Sequence, residues 1–127
     1  MRRRQFQPRA NVPMVTETHR RLALELSLAC EALIGAPSVE AFNQLSKMLA
    51  VLCNAGMAGE AIDLATDTLS TVCDRYERVG RIGVSETEAQ SMRAAIASID
   101  DRLPLIPLNR FERAVADVAI FCATVGA

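Results

Sequence analysis

The chain has 127 residues, half of them hydrophobic but only five aromatic, and a formal net charge of −1. That length supports one domain with one core, and the core must be aliphatic. No apolar run approaches the ~20 residues needed to cross a bilayer, and no Cys and His residues stand at zinc-ligand spacing.

Charge is unevenly spread. Residues 1–21 carry six Arg and one Glu, whereas residues 22–127 carry eight Lys or Arg and fourteen Asp or Glu. A basic arm therefore precedes an acidic body, an asymmetry that points to nucleic acid or an acidic partner. An arm docked on the acidic body of its own or a sister chain is the plain alternative. Ala and Leu favour helix, and β-branched and aromatic residues do not dominate, so the body should be all-α.

Met1 to Pro13 has no helical period. Pro8 and Pro13 each remove a backbone donor and push the preceding residue toward extended geometry. Residues 1–15 are expected to form an extended basic arm, with Phe6 as its anchor. Gln5 to Asn11 cannot serve as the apolar region of a signal peptide.

A single helical domain should fill residues 16–127. The first helix starts near Thr16 with Leu22, Leu26, Ala29 and Leu33 on one stripe, widened by Cys30. Leu24 and Leu28 lie off that stripe, which predicts a central helix or one that also meets a partner. Gly35 and Pro37 end it. Ser38 caps the second helix, whose stripe is Phe42, Leu45, Leu49 and Leu52, with Met48 and Cys53 beside it.

The third helix runs from about Gly59 to Val79. Ile62, Ala65, Leu69, Val72, Tyr76 and Val79 give the cleanest amphipathic spacing in the chain. Gly80 is the expected left-handed residue after its end. Ser85 opens the fourth helix with Glu88 as its capping-box partner, and Ala89, Met92, Ile96, Ile99 and Leu103 form its stripe. Pro104 to Pro107 predicts a short extended crossing that keeps Leu105 and Ile106 against the core. Asn109 with Glu112 predicts a second capping box at the start of the fifth helix. Phe111, Val115, Val118 and Cys122 make that stripe, and Ile120 and Phe121 add apolar surface beyond it, as a packed helix or a dimer contact would need. The expected architecture is a compact bundle of about five helices behind the arm.

Catalysis finds little support. His19 is the one imidazole and reads as a solvated residue near Arg20 and Arg21. The carboxylate pairs Asp63 with Asp67, and Glu86 with Glu88, lie on faces that read as wet. Gly56 and Gly59 are not followed by the Lys-Ser/Thr of a phosphate loop. The four cysteines fall on apolar faces and read as reduced core residues, which suits the cytoplasm. No enzyme, cofactor or metal site is expected.

Two cationic groups remain. Arg2, Arg3, Arg4 and Arg9 of the arm are candidates for binding a macromolecule, including the phosphates of nucleic acid. Arg75, Arg78 and Arg81 form a corner at the end of the third helix, a candidate for an anion or a partner contact. The plain reading of that corner pairs its arginines with Asp74, Glu77 or Glu86. The third helix exposes Asp63, Asp67, Asp74 and Glu77, which argues against its use as a recognition helix.

The opening Arg2-Arg3-Arg4, Gln7-Pro8-Arg9 and Pro13-Met14, together with Asp74-Arg75-Tyr76-Glu77-Arg78-Val79-Gly80-Arg81-Ile82-Gly83-Val84 and the following Glu86 to Glu88, resembles a family of short proteins. These come from phages, prophages and mobile islands of β-proteobacteria and often carry the label of transcriptional regulators. The resemblance covers about a quarter of the chain. It implies an accessory gene of a mobile element, whose products often bind and regulate or inhibit a host machine. The combined expectation is a non-catalytic, cytoplasmic binding protein that forms a homo-oligomer and engages a host or phage macromolecule. A nucleic-acid-binding regulator using the arm is the alternative, and a binder of a small anionic ligand the second.

Overall fold

A computed structural model describes residues 16–125. The arm, with Phe6, Arg2, Arg3, Arg4 and Arg9, lies outside the described residues. Five helices follow one another: α1 (Thr16–Gly35), α2 (Val39–Asn54), α3 (Glu60–Val79), α4 (Glu86–Arg102) and α5 (Leu108–Val125). A 3-10 turn, Leu103–Leu105, joins α4 to α5. The all-α bundle is thus as the sequence predicts, with no strand among the described residues.

Local signals set the helix ends. Ser38 is extended, and its hydroxyl accepts the Ala41 N–H at 3.0 Å, opening α2. Gly80 takes φ 81, and its N–H reaches the Tyr76 carbonyl at 2.7 Å, closing α3. Only glycine adopts that left-handed geometry without a Cβ clash. Ser85 and Glu88 form the predicted capping box at the head of α4.

The stripes meet in one aliphatic core. Leu22, Leu26 and Leu33 of α1 face Leu45, Leu49 and Leu52 of α2, Ile62, Ala65 and Leu69 of α3, and Met92, Ile96 and Ile99 of α4. The α3–α4 hairpin is the most extensive helix contact, and α2 is the helix that touches three others: α1, α3 and α5. The α1 helix touches α2, α4 and the 3-10 turn. Leu24 and Leu28, the off-stripe leucines of α1, are each 59 % exposed.

Three further expectations are corrected. Pro104 sits inside a 3-10 turn and not an extended crossing; only Ile106 turns extended, at φ −85 and ψ 124. A 3-10 turn needs no N–H from its first residues, so proline fits there. Ile106 is buried, but Leu105 points out and is 76 % exposed. The α5 helix begins at Leu108, and the Phe111 N–H bonds the Pro107 carbonyl at 3.0 Å, so Pro107 holds the cap position and Asn109 lies two residues too late to cap. Its Oδ1 is buried with no hydrogen-bond partner among the described residues. Of the cysteines, all free, Cys30 alone is buried; Cys53 is exposed, and Cys73 and Cys122 are half-buried.

These positions predict contrasting costs. Leu26→Ala or Ile99→Ala, both fully enclosed, should each lower stability by about 2–5 kcal/mol. Leu24→Ala should stay within roughly 0.5 kcal/mol. Chemical denaturation of the three variants checks the order.

Candidate functional site

The corner at the end of α3 is built by the elbow that follows it. Glu88 is the third residue of α4, so its side chain reaches back over the helix start. One carboxylate oxygen, Oε1, accepts the Ser85 N–H at 2.9 Å. The other, Oε2, accepts from Arg75 Nη2. Arg75 Nη1 meanwhile donates to the Gly83 carbonyl at 2.9 Å. One guanidinium therefore joins the last turns of α3, the connector and the first turn of α4. Its hydrogen bond holds the Glu88 carboxyl below the usual carboxylate range, helped by the bonds from Ser85. Glu88 in turn raises the pKa of Arg75.

This geometry separates the three corner arginines. Arg75 spends its charge on Glu88, a partner the sequence reading assigned to the cap alone. Arg78 and Arg81 are exposed and form no ion pair among the described residues. The corner is thus a brace with two solvated cations beside it.

A second polar cluster spans α1 and α4. Arg93 donates from Nε and Nη2 to the two oxygens of Glu31, each at 2.8 Å, in a fork-on-fork pair. His19 Nε2 stands 3.4 Å from Asp100 Oδ1, so His19 is half-buried against α4 and not solvated as expected. A cavity of about 370 Å³ lies along the same seam, with Ser27 and Cys30 in its wall. Burial, and then the nearby Glu31 charge, pushes the Cys30 thiol up to about 11. A thiol that stays protonated at neutral pH is a poor nucleophile. Among the described residues no group of three or more His, Cys, Asp or Glu could hold a metal ion.

The largest unfilled demand lies on α5. Among the described helices this one packs on α2 alone. Ala114 is its one buried residue among those whose side chains are described, while Ile120 and Phe121 are each 64 % exposed. Its charged residues all fall between Arg110 and Asp117, so Val118 to Val125 runs without a charge. Val118, Phe121 and Cys122 form one wall of a groove of about 350 Å³, and Asn43, Ser46, Lys47 and Ala50 of α2 form the other. Ser46 and Ala50 also line a second groove of about 320 Å³, between α2 and α3. The two grooves share that floor, so the outer face of α2 is a shallow channel flanked by α3 and α5. Ile120 and Phe121 are visible in the sequence as surplus apolar surface, but the floor is not, because small residues on α2 give no periodic signal. Arg102 and Arg110 give none either, since their closeness depends on the turn between them.

Comparison with protein families, with curated proteins and with solved structures finds no match to this chain.

The Arg75 brace carries a pH dependence. The Glu88 carboxyl has a lower pKa folded than its ordinary value. Its stabilisation is therefore complete above the unfolded value of ~4.3 and is lost as pH falls through the folded value. Glu88→Gln should melt below the parent chain at neutral pH, and the two melting curves should converge on acidification. Paired thermal melts across that range measure it.

Proposed function

We propose that this chain is a non-catalytic binding protein that engages a macromolecule through the α2–α5 face. The observation that supports it most is the charge-free second half of α5, which rests on one helix and turns Ile120 and Phe121 outward. An amphipathic helix gains most of its stability from burying its apolar face, and contiguous exposed apolar surface marks interaction sites. Self-association is the first use of this face: a second copy brings the same apolar strip, as a two-fold interface requires. A protein partner of the host or phage is the further use, in keeping with the mobile-element resemblance and a role as inhibitor or regulator. The cytoplasm suits four free thiols. No helix among the described residues is long and apolar enough to cross a membrane.

The basic arm supports the second reading, a nucleic-acid-binding regulator, through Arg2, Arg3, Arg4 and Arg9. Against it, the exposed side of α3 carries Asp63, Asp67, Asp74 and Glu77, which repel phosphate.

Light scattering on the purified full chain tests the first reading. A stable oligomer should form and should dissociate in Ile120→Asp with Phe121→Asp, while helical content is kept. An oligomer that survives the double substitution but dissociates when residues 1–11 are removed would transfer the interface to the arm. Nucleic acid that co-purifies and is lost with the arm would move the regulator reading to first place.

A further inference from the structure

We propose that the turn between α2 and α3 is a site for a single phosphate group, held by the guanidinium groups of Arg102 and Arg110. The turn is not a phosphate loop of known pattern. Its backbone is shaped by Gly56 at φ 105 and Gly59 at φ 123, a region that side chains other than glycine rarely adopt. Both glycines also leave room for a cation. A Cβ on Gly56 would lie 3.0 Å from Arg110 Nη1, and one on Gly59 would lie 2.8 Å from Arg102 Nη1.

The two arginines come from different helices. Arg102 is the last residue of α4, and Arg110 lies in the first turn of α5. The 3-10 turn and Pro107 fold the chain between them so that Arg110 returns to Gly56 and Arg102 to Gly59, on one turn. Together with Ala55, Met57 and Ile106 they line a cavity of about 100 Å³, room for one oxyanion group.

Electrostatics gives this arrangement its meaning. The other two arginines set between helices are each neutralised by a glutamate: Arg75 by Glu88 and Arg93 by Glu31. Arg102 and Arg110 form no ion pair among the described residues, although Asp101 precedes Arg102 and Glu60 follows Gly59. Two like charges on one turn repel. Arg110 also stands at the positive end of α5, where a cation is disfavoured. The same turn ends in the head of α3, where Gly59 is the N-cap and no side chain accepts from the first N–H groups. Three unfavourable features thus share one remedy, an anion of high charge with several acceptor oxygens. A phosphate monoester dianion fits two guanidinium forks better than a carboxylate or a diester, which carry one charge each. The carrier is a small phosphorylated molecule or inorganic phosphate itself.

Inorganic phosphate, glycerol phosphate and dimethyl phosphate are the probes, each compared with sodium chloride at equal ionic strength. The full chain should melt at a higher temperature in the first two and not in the diester. Titration calorimetry should show phosphate binding weakened about tenfold in Arg102→Gln or Arg110→Gln, and unchanged in Arg78→Gln, a cation at the other elbow. Binding to glycerol phosphate but not to inorganic phosphate would assign the site to a phosphorylated metabolite; the reverse would assign it to the free ion. Amide spectra of the unsubstituted chain supply a readout that needs no variant: phosphate should move the signals of Gly59 to Ile62 and the Nε–H signals of Arg102 and Arg110. Equal binding in the Gln variants, equal affinity for the diester, or shifts confined to other residues would overturn the proposal.

Discussion

A guanidinium at the end of α3 fixes the geometry on which the bundle depends. Arg75 bonds the Gly83 carbonyl and Glu88 together, so the direction in which α4 leaves the elbow is tied to α3 itself. The most extensive helix contact in the molecule then follows from two well-matched stripes laid side by side. Glu88 serves the helix cap with one oxygen and the brace with the other. Its full use of both oxygens explains why one carboxylate, partly shielded from water, carries more than an ordinary surface pair would. Ile82 and Val84 of the connector pack on the core from the same elbow.

Much of this was legible in the sequence. The stripe of α4 and that of α3 as far as Val72 are legible residue by residue, because charges occupy their polar positions and leave one face free to be buried; the last stripe residues of α3 depart from it, Tyr76 half-buried and Val79 55 % exposed. Gly80, Ser38 and Ser85 were legible for a different reason: each supplies a backbone geometry or an acceptor that a helix end requires wherever it lies. Where composition gave no contrast, the reading failed. The α1 helix is apolar on more than one side, and spacing, which sets Leu24 and Leu28 off the stripe, cannot tell whether another helix of the bundle covers them; none among the described residues does. Cys53 sits on a predicted apolar face yet is exposed, since the edge of a stripe is set by which neighbour arrives.

The sites were less legible than the fold. Arg75, Arg78 and Arg81 looked like one cluster because they are three apart, but a helix end spreads such residues and the following helix claims the first. Arg102 and Arg110 carry no signal in the sequence, because the course of the turn between them decides whether they meet. Proline in that turn suggested extension, while the chain makes a tight 3-10 step that buries Leu103 and Ile106 on either side of an exposed Leu105. Side-chain clusters that depend on a turn cannot be read from periodicity.

The attachment of α5 has a consequence for how the molecule opens. Its single neighbour among the described helices is α2, and its one enclosed residue among the described side chains is a small one, Ala114. Cooperative units that bury little apolar surface open at lower free energy than the core that surrounds them. The fifth helix is therefore the segment whose amides exchange with solvent while the other four helices stay closed. A companion seated on its outer side would then do two things at once, burying Phe121 and ordering the helix that presents it. The affinity measured for such a companion would contain the free energy of closing α5, and that of a second companion arriving through the same helix would not.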